Sequence, residues 1–165
     1  MLKVRLHKSC HDYFKDGQIK TIRDVINWSI DYHNLRDKSH SVDFFFVDNI
    51  TTHLKTDQTT TAYGQFRIES LKNSQIIVMS DRSMFGILST IFHEMTHLKH
   101  LLHHDICYTI YGKTWRGDKY PLVDKTKFSE YQNLPDECDA RHHQRRMMTR
   151  WIISWTAHKI FFWRK

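Results

Sequence analysis

At 165 residues the chain is long enough for one domain with a sizeable core, and with only 5 glycines and 2 prolines it carries no long disordered or collagen-like tract. Its formal net charge of +7 is uneven, because residues 1–140 hold 18 basic and 18 acidic side chains while residues 141–165 hold 7 basic and none acidic. Three widely spaced cysteines, Cys10, Cys107 and Cys138, exclude a disulfide framework and suit a reducing compartment.

The start, from Met1 to Lys8, alternates apolar and basic residues without the continuous apolar core of a signal peptide, so a cytoplasmic location is expected. Leu2, Val4 and Leu6 predict a short first strand. Ile19, Ile22, Val25, Ile26, Ile30 and Leu35 recur at helical spacing and predict a helix over 18–37 with one buried stripe. Strand-like runs follow at 42–47, 62–69 and 75–79, with a polar loop over 51–61 and a turn over 72–74. Asp81 or Ser83 can cap a helix over 83–102, whose Phe85, Ile87, Leu88, Ile91, Phe92, Met95 and Leu98 predict a buried face. The longest apolar stretch, from Trp151 to Trp163, is too short to span a bilayer and is broken by His158 and Lys159, so no transmembrane segment is expected.

The 83–102 helix contains His93-Glu94-Met95-Thr96-His97, the pattern His-Glu-x-x-His. Positions four apart lie one turn above each other, so His93 and His97 can bring both imidazoles to one metal ion, with Glu94 beside it. Two neutral imidazoles leave Zn2+ with open positions for a third protein ligand and a water, the arrangement of a hydrolytic site. A buried helix face needs a reason to carry such groups.

Two residues compete for the third position. His103 lies six residues past His97, the metzincin spacing, yet His100 stands where metzincins have the glycine that turns the chain sharply. Without that glycine the helix should continue, with His93, His97, His100 and His104 along one face and His103 off it. The other candidate is Glu137, at a helix start marked by Pro135, Asp136 and Asp139, with small Ala140 one turn on.

The order of one helix, several strands and then the His-Glu-x-x-His helix resembles the zincin superfamily, and Glu137 three residues before Ala140 is similar to the gluzincin arrangement. Trp115, Gly117 and Tyr120, with the run Pro135-Asp136-Glu137-Cys138-Asp139-Ala140, look like a group of small, mostly phage-encoded HExxH proteins. These have a Trp-x-Gly-x-x-Tyr segment and a Pro-x-Glu-x-Glu-Ala helix start. Asp139 replaces that group's second glutamate, Asp136 its common tryptophan, and the likeness covers roughly residues 62–145. The resemblance implies a minimal zincin: an α+β fold with a small mixed sheet, an antiparallel edge strand, and packing on an N-terminal helix, the HExxH helix and a C-terminal helix. It also implies a triad of His93, His97 and Glu137 around one zinc ion, and an edge strand from Tyr63 to Glu69 that pairs with an extended peptide substrate.

The function expected is that of a zinc peptidase of the cytoplasm, host cytoplasm if viral, with Glu94 as general base. Tyr120, Tyr131 and His142 are candidate oxyanion or substrate contacts. The rival is a catalytically silent scaffold that captures a host protein or nucleic acid. In the basic, aromatic segment 141–165, Arg141, Arg145, Arg146, Arg150, Arg164 and Lys165 surround Trp151, Ile152, Ile153, Trp155, Ile160, Phe161, Phe162 and Trp163. Closing the core is the first expectation for these aromatics; contact with nucleic acid or a membrane surface is the alternative.

Overall fold

The computed structural model describes residues 1–53, 59–61, 63–109, 112–120 and 128–162. Alternation builds the sheet: in strand β2 (Ser41–Val47), Val42, Phe44 and Phe46 are buried and the residues between them half-buried. Strands β1 (Lys3–Leu6) and β6 (Asn73–Met79) flank β2 in parallel, and β5 (Gly64–Ser70) lies antiparallel to β6 at the edge, giving the order β1-β2-β6-β5. The register sets Phe44 beside Ile76 and Phe46 beside Val78, and β5 adds Phe66 opposite Ile76, so one face collects the apolar side chains. This is the mixed α+β architecture with an antiparallel edge strand that the sequence predicts.

Helix α1 (Cys10–Tyr13) is a single turn, and α2 (Asp16–Tyr32) buries Ile19, Ile22, Val25, Ile26 and Ile30. Helix α3 (Met84–Leu102) begins at Ser83, whose hydroxyl accepts the Gly86 backbone N–H at 3.2 Å. It packs against β5, β6, α2 and α5 (Pro135–Phe162), with Ile91, Phe92, Met95 and Leu98 fully buried. Burial of each such side chain is worth about 1.5–3 kcal/mol, which makes α3 the central element of the core.

The helix expected over 18–37 stops at Tyr32. Asn34 adopts φ 55°, Asn34 N–H bonds to Asp31 O, and Leu35 N–H reaches back to Ile30 O at 2.9 Å, a Schellman ending. Leu35 is fully buried because it folds back there, which is why it fits the helical spacing without being helical. Helix α3 ends in the same way without glycine: His104 takes φ 60°, and Asp105 N–H bonds to His100 O at 2.9 Å. His104 is therefore exposed beyond the helix, off the face shared by the earlier histidines.

The polar stretch expected as a loop carries short antiparallel strands, β3 (Thr51–His53) and β4 (Thr59–Thr61); β-branched threonine suits strands despite its polarity. Residues 54–58 and 62 lie outside the described residues. The turn after β5 is at Leu71 and Lys72, with Asn73 already paired in β6. A second sheet, β7 (Ile106–Thr109), β8 (Gly112–Trp115) and β9 (Asp118–Tyr120), follows α3. Its last hairpin turns through Arg116 at φ 49° and Gly117 at φ 96°, the positive-φ pair of a type I′ turn.

Helix α4 (Phe128–Gln132) leads into α5, a rod of about 42 Å. Met147 and Met148 are buried and Trp151 packs on the core, whereas Ile152, Ile153 and Trp155 are exposed. Among the described side chains, Trp151 packs on the core and Trp155 does not close it. The side chains of Ile160, Phe161 and Phe162, and Trp163, lie outside what is described. No described helix is long and apolar enough to cross a membrane.

Candidate metal centre

Helical spacing sets His93 directly before His97, with ring centroids 4.8 Å apart and the two Nε2 atoms 3.1 Å apart. The first turn of α5 crosses this face of α3 and inserts Glu137, whose Oε2 is 3.3 Å from His93 Nε2 and whose Oε1 is 3.3 Å from His97 Nε2. Two further pairs hold α5 in that crossing. Lys113 on β8 donates to both oxygens of Asp136 at 2.6 Å, with both residues buried. His100, also buried, meets Asp139 at 2.8 Å while Trp115 packs edge-on against its ring, centroids 4.6 Å apart.

The spacing of the three donors bears on what they can hold. Ligands at about 2.0–2.1 Å from a tetrahedral zinc ion stand about 3.4 Å from one another, so two ring nitrogens 3.1 Å apart, each 3.3 Å from one oxygen of the same carboxylate, suit one ion held by the three groups. Without a cation, two imidazole N–H groups turned toward the carboxylate would also face each other, a conflict that three lone pairs on one ion remove. Among the described residues no other group of three or more His, Cys, Asp or Glu comes together in this way.

Burial alone would raise the Glu137 carboxyl, but hydrogen bonds from His93 and His97 and their charge hold it well below the usual carboxylate range. Glu94 differs: burial pushes it up to about 7, with Glu137's charge adding to the rise and His93 and the Phe66 backbone opposing it. Two neighbouring carboxyls thus sit in opposite environments. Gly64 on β5 explains how Glu94 fits, since a Cβ there would lie 2.5 Å from Glu94 Oε1 and 2.4 Å from Thr90 Cγ2.

Of the three candidate oxyanion contacts, Tyr131 reaches the triad: its hydroxyl donates to Glu137 Oε1 at 2.6 Å. Burial, and then the Glu137 charge, push its phenol well above the usual range. Tyr120 stands on β9 opposite Lys113 and makes no hydrogen bond to the triad among the described residues, while His142 is exposed on α5 with its ring beside His143. His103, the alternative third ligand, caps α3 and points its Nε2 at the His33 backbone carbonyl, 3.1 Å away. Cys138, beside Glu137, is exposed with its thiol toward the Gln132 carbonyl.

Lys113, Asp136 and the His100–Asp139 pair are site residues that spacing does not reveal. In sequence, Asp136 and Asp139 show as an acidic helix start and His100 as part of the histidine face, while Lys113 carries no signal; the structure pairs them. No protein family, curated protein or solved structure matches this chain.

Proposed function

We propose that the chain is a zinc-dependent peptidase in which His93, His97 and Glu137 hold one zinc ion and Glu94 moves the proton. The observation that carries this reading is the meeting of two imidazole nitrogens 3.1 Å apart with the Glu137 carboxylate, one oxygen 3.3 Å from each, beside a second carboxylate, Glu94, that is not one of the three groups. A zinc ion held there supplies Lewis-acid polarisation of a peptide carbonyl and a water acidified to about neutrality. Glu94, set beside that position by its place next to His93, takes the water's proton and returns it to the leaving amine. Tyr131 steadies Glu137 through its hydroxyl. The outer edge of β5, unpaired with any strand among the described residues, offers a row of backbone groups to an extended peptide.

A purely structural zinc site fills its fourth corner with protein and has no use for a base, which favours hydrolysis. The resemblance to mostly phage-encoded HExxH proteins, together with three free cysteines, supports work in the cytoplasm of a bacterial host. The test is zinc quantification coupled to proteomic substrate profiling of wild type and Glu94→Gln. Zinc retained by both, with cleavage confined to wild type and lost by about two to four orders of magnitude in the variant, is the expected result.

One observation favours a second reading as a binding protein: Ile152, Ile153 and Trp155 are exposed on α5 just after Arg146 and Arg150. Identical cleavage profiles for the two proteins, together with nucleic-acid binding that weakens steeply with salt, would move the assignment there.

A further inference from the structure

A cleft of about 490 Å3 lies between the N-terminal half of α3 and the middle of α5. Phe85, Met148 and Ile152 give it apolar walls, Arg141 and Arg145 line its α5 side, and Phe85 leaves 61% of its surface in water. The Gln144 side-chain amide donates to Ser89 Oγ at 2.6 Å, joining the two helices along the cleft. The cleft begins one turn from the triad on each helix, because Ser89 precedes His93 by four residues and Arg141 follows Glu137 by four.

Among the described residues none that is acidic lines this cleft, and the first turn of α3 carries none to offset the positive end of the helix. Arg141 directs its guanidinium to the Gln132 carbonyl and the Cys138 sulfur. Arg145 is exposed and forms no ion pair with a described acidic residue.

Strand direction connects the cleft to a substrate. Gly64 abuts Thr90 and Glu94, and Ile68 lies in a groove with Leu101 and Leu102, so β5 runs in the same direction as α3. A peptide added antiparallel to β5, the commoner pairing, therefore runs toward Phe85 and leads its C-terminal part to the arginine-lined end.

Resting on the peptidase reading above, we infer that this cleft binds the part of a peptide substrate C-terminal to the scissile bond and selects an acidic side chain next to a large apolar one. The apolar side chain fills the space between Phe85 and Ile152, and its acidic neighbour meets Arg145, whose planar fork suits a carboxylate.

The test has two arms. In the first, zinc-loaded wild type and Arg145→Glu digest a mixture of synthetic peptides of random sequence, in free-acid and amidated forms, read by mass spectrometry. Wild type should favour Asp or Glu within three residues after the cleaved bond by about tenfold over Asn or Gln, in both forms, and Arg145→Glu should shift that preference to Lys or Arg. No acidic preference, a preference that disappears on C-terminal amidation, or an unchanged preference in Arg145→Glu would overturn the inference while leaving the peptidase intact. In the second arm, fluorescence anisotropy follows a labelled Leu- and Glu-rich peptide and its Gln counterpart on zinc-loaded Glu94→Gln protein. Tighter binding of the Glu peptide with no cleavage in the first arm keeps the cleft and removes the peptidase. Equal binding of the two peptides with no cleavage removes both.

Discussion

Gly64 on the edge strand lies so close to Glu94 on α3 that a Cβ added there would sit 2.5 Å from the carboxylate oxygen. Neither the Thr90 methyl, 2.4 Å from the same point, nor the strand backbone can yield without moving the pair apart. Gly64→Ala should cost about 1–3 kcal/mol in urea unfolding and displace Glu94, with a large loss of peptide cleavage. Adding Thr90→Ser to Gly64→Ala should recover part of the stability but little activity, because the clash with the carboxylate remains. Full activity in Gly64→Ala would show that Glu94 need not hold its observed position.

The assignment of ligands separates two variants cleanly. Glu137→Ala should lose zinc under mild dialysis, since it removes one of three donors. His103→Ala should keep zinc and lose only modest stability, about 0.5–1.5 kcal/mol, from its bond to the His33 carbonyl. Metal analysis after dialysis distinguishes them, and the reverse pattern would transfer the third position to His103.

Lys113 and Asp136 form a buried pair beside Glu137. Lys113→Met leaves an unpaired buried carboxylate and should cost about 3–5 kcal/mol, with weakened zinc retention as the start of α5 shifts. The double change Lys113→Met with Asp136→Leu should regain much of that stability. Thermal unfolding with and without zinc measures both effects, and additive losses in the double variant would contradict them.

Acid should act through buried histidines. Burial first, then the charges of His143 and Lys99, hold His33 down to about 3, against about 6.5 in an unfolded chain. A depressed histidine takes up its proton on unfolding, so its contribution is complete above pH 7 and declines as pH falls from about 6.5 toward 3. By pH 4.5 the loss from this one group is about 2–3 kcal/mol, and His40, His100 and His143, all lowered chiefly by burial, add to it. Urea midpoints at pH 7.5 and 4.5 should diverge less in His33→Gln than in wild type.

Metal removal should be felt unevenly. Closing the forty-residue stretch from His97 to Glu137 costs chain entropy that a shared ion offsets. Chelation should lower the melting temperature and speed amide exchange most in α4 and the first turns of α5. A uniform change across α2 and the central sheet instead would mean that the ion does not join these elements.

Much of this architecture is legible in local pattern. Alternation in β1, β2 and β6, and the three-and-four spacing of α3, report which face is buried, and the spacing of His93 and His97 needs only helix geometry. Leu35 escapes such reading because a Schellman ending returns its side chain to a position the helix would have filled. His104 escapes because a left-handed ending usually announces itself with glycine. Lys113 and Asp136 lie 23 residues apart, and a pairing of that range leaves no periodic trace. Tyr131 reaching Glu137 is likewise set by the bend between α4 and α5, which no propensity encodes.

Past Trp151, the α5 side chains of Ile152, Ile153 and Trp155 are exposed, and Trp155 stacks on Trp151 with centroids 5.9 Å apart. A stretch whose described side chains lie mostly in water draws little stability from burial, and helical backbone bonds alone are marginal in water. A protease should therefore nick α5 near Ile153 before the other described helices, and cleavage at that point would spare Glu137, more than four turns upstream on the same helix.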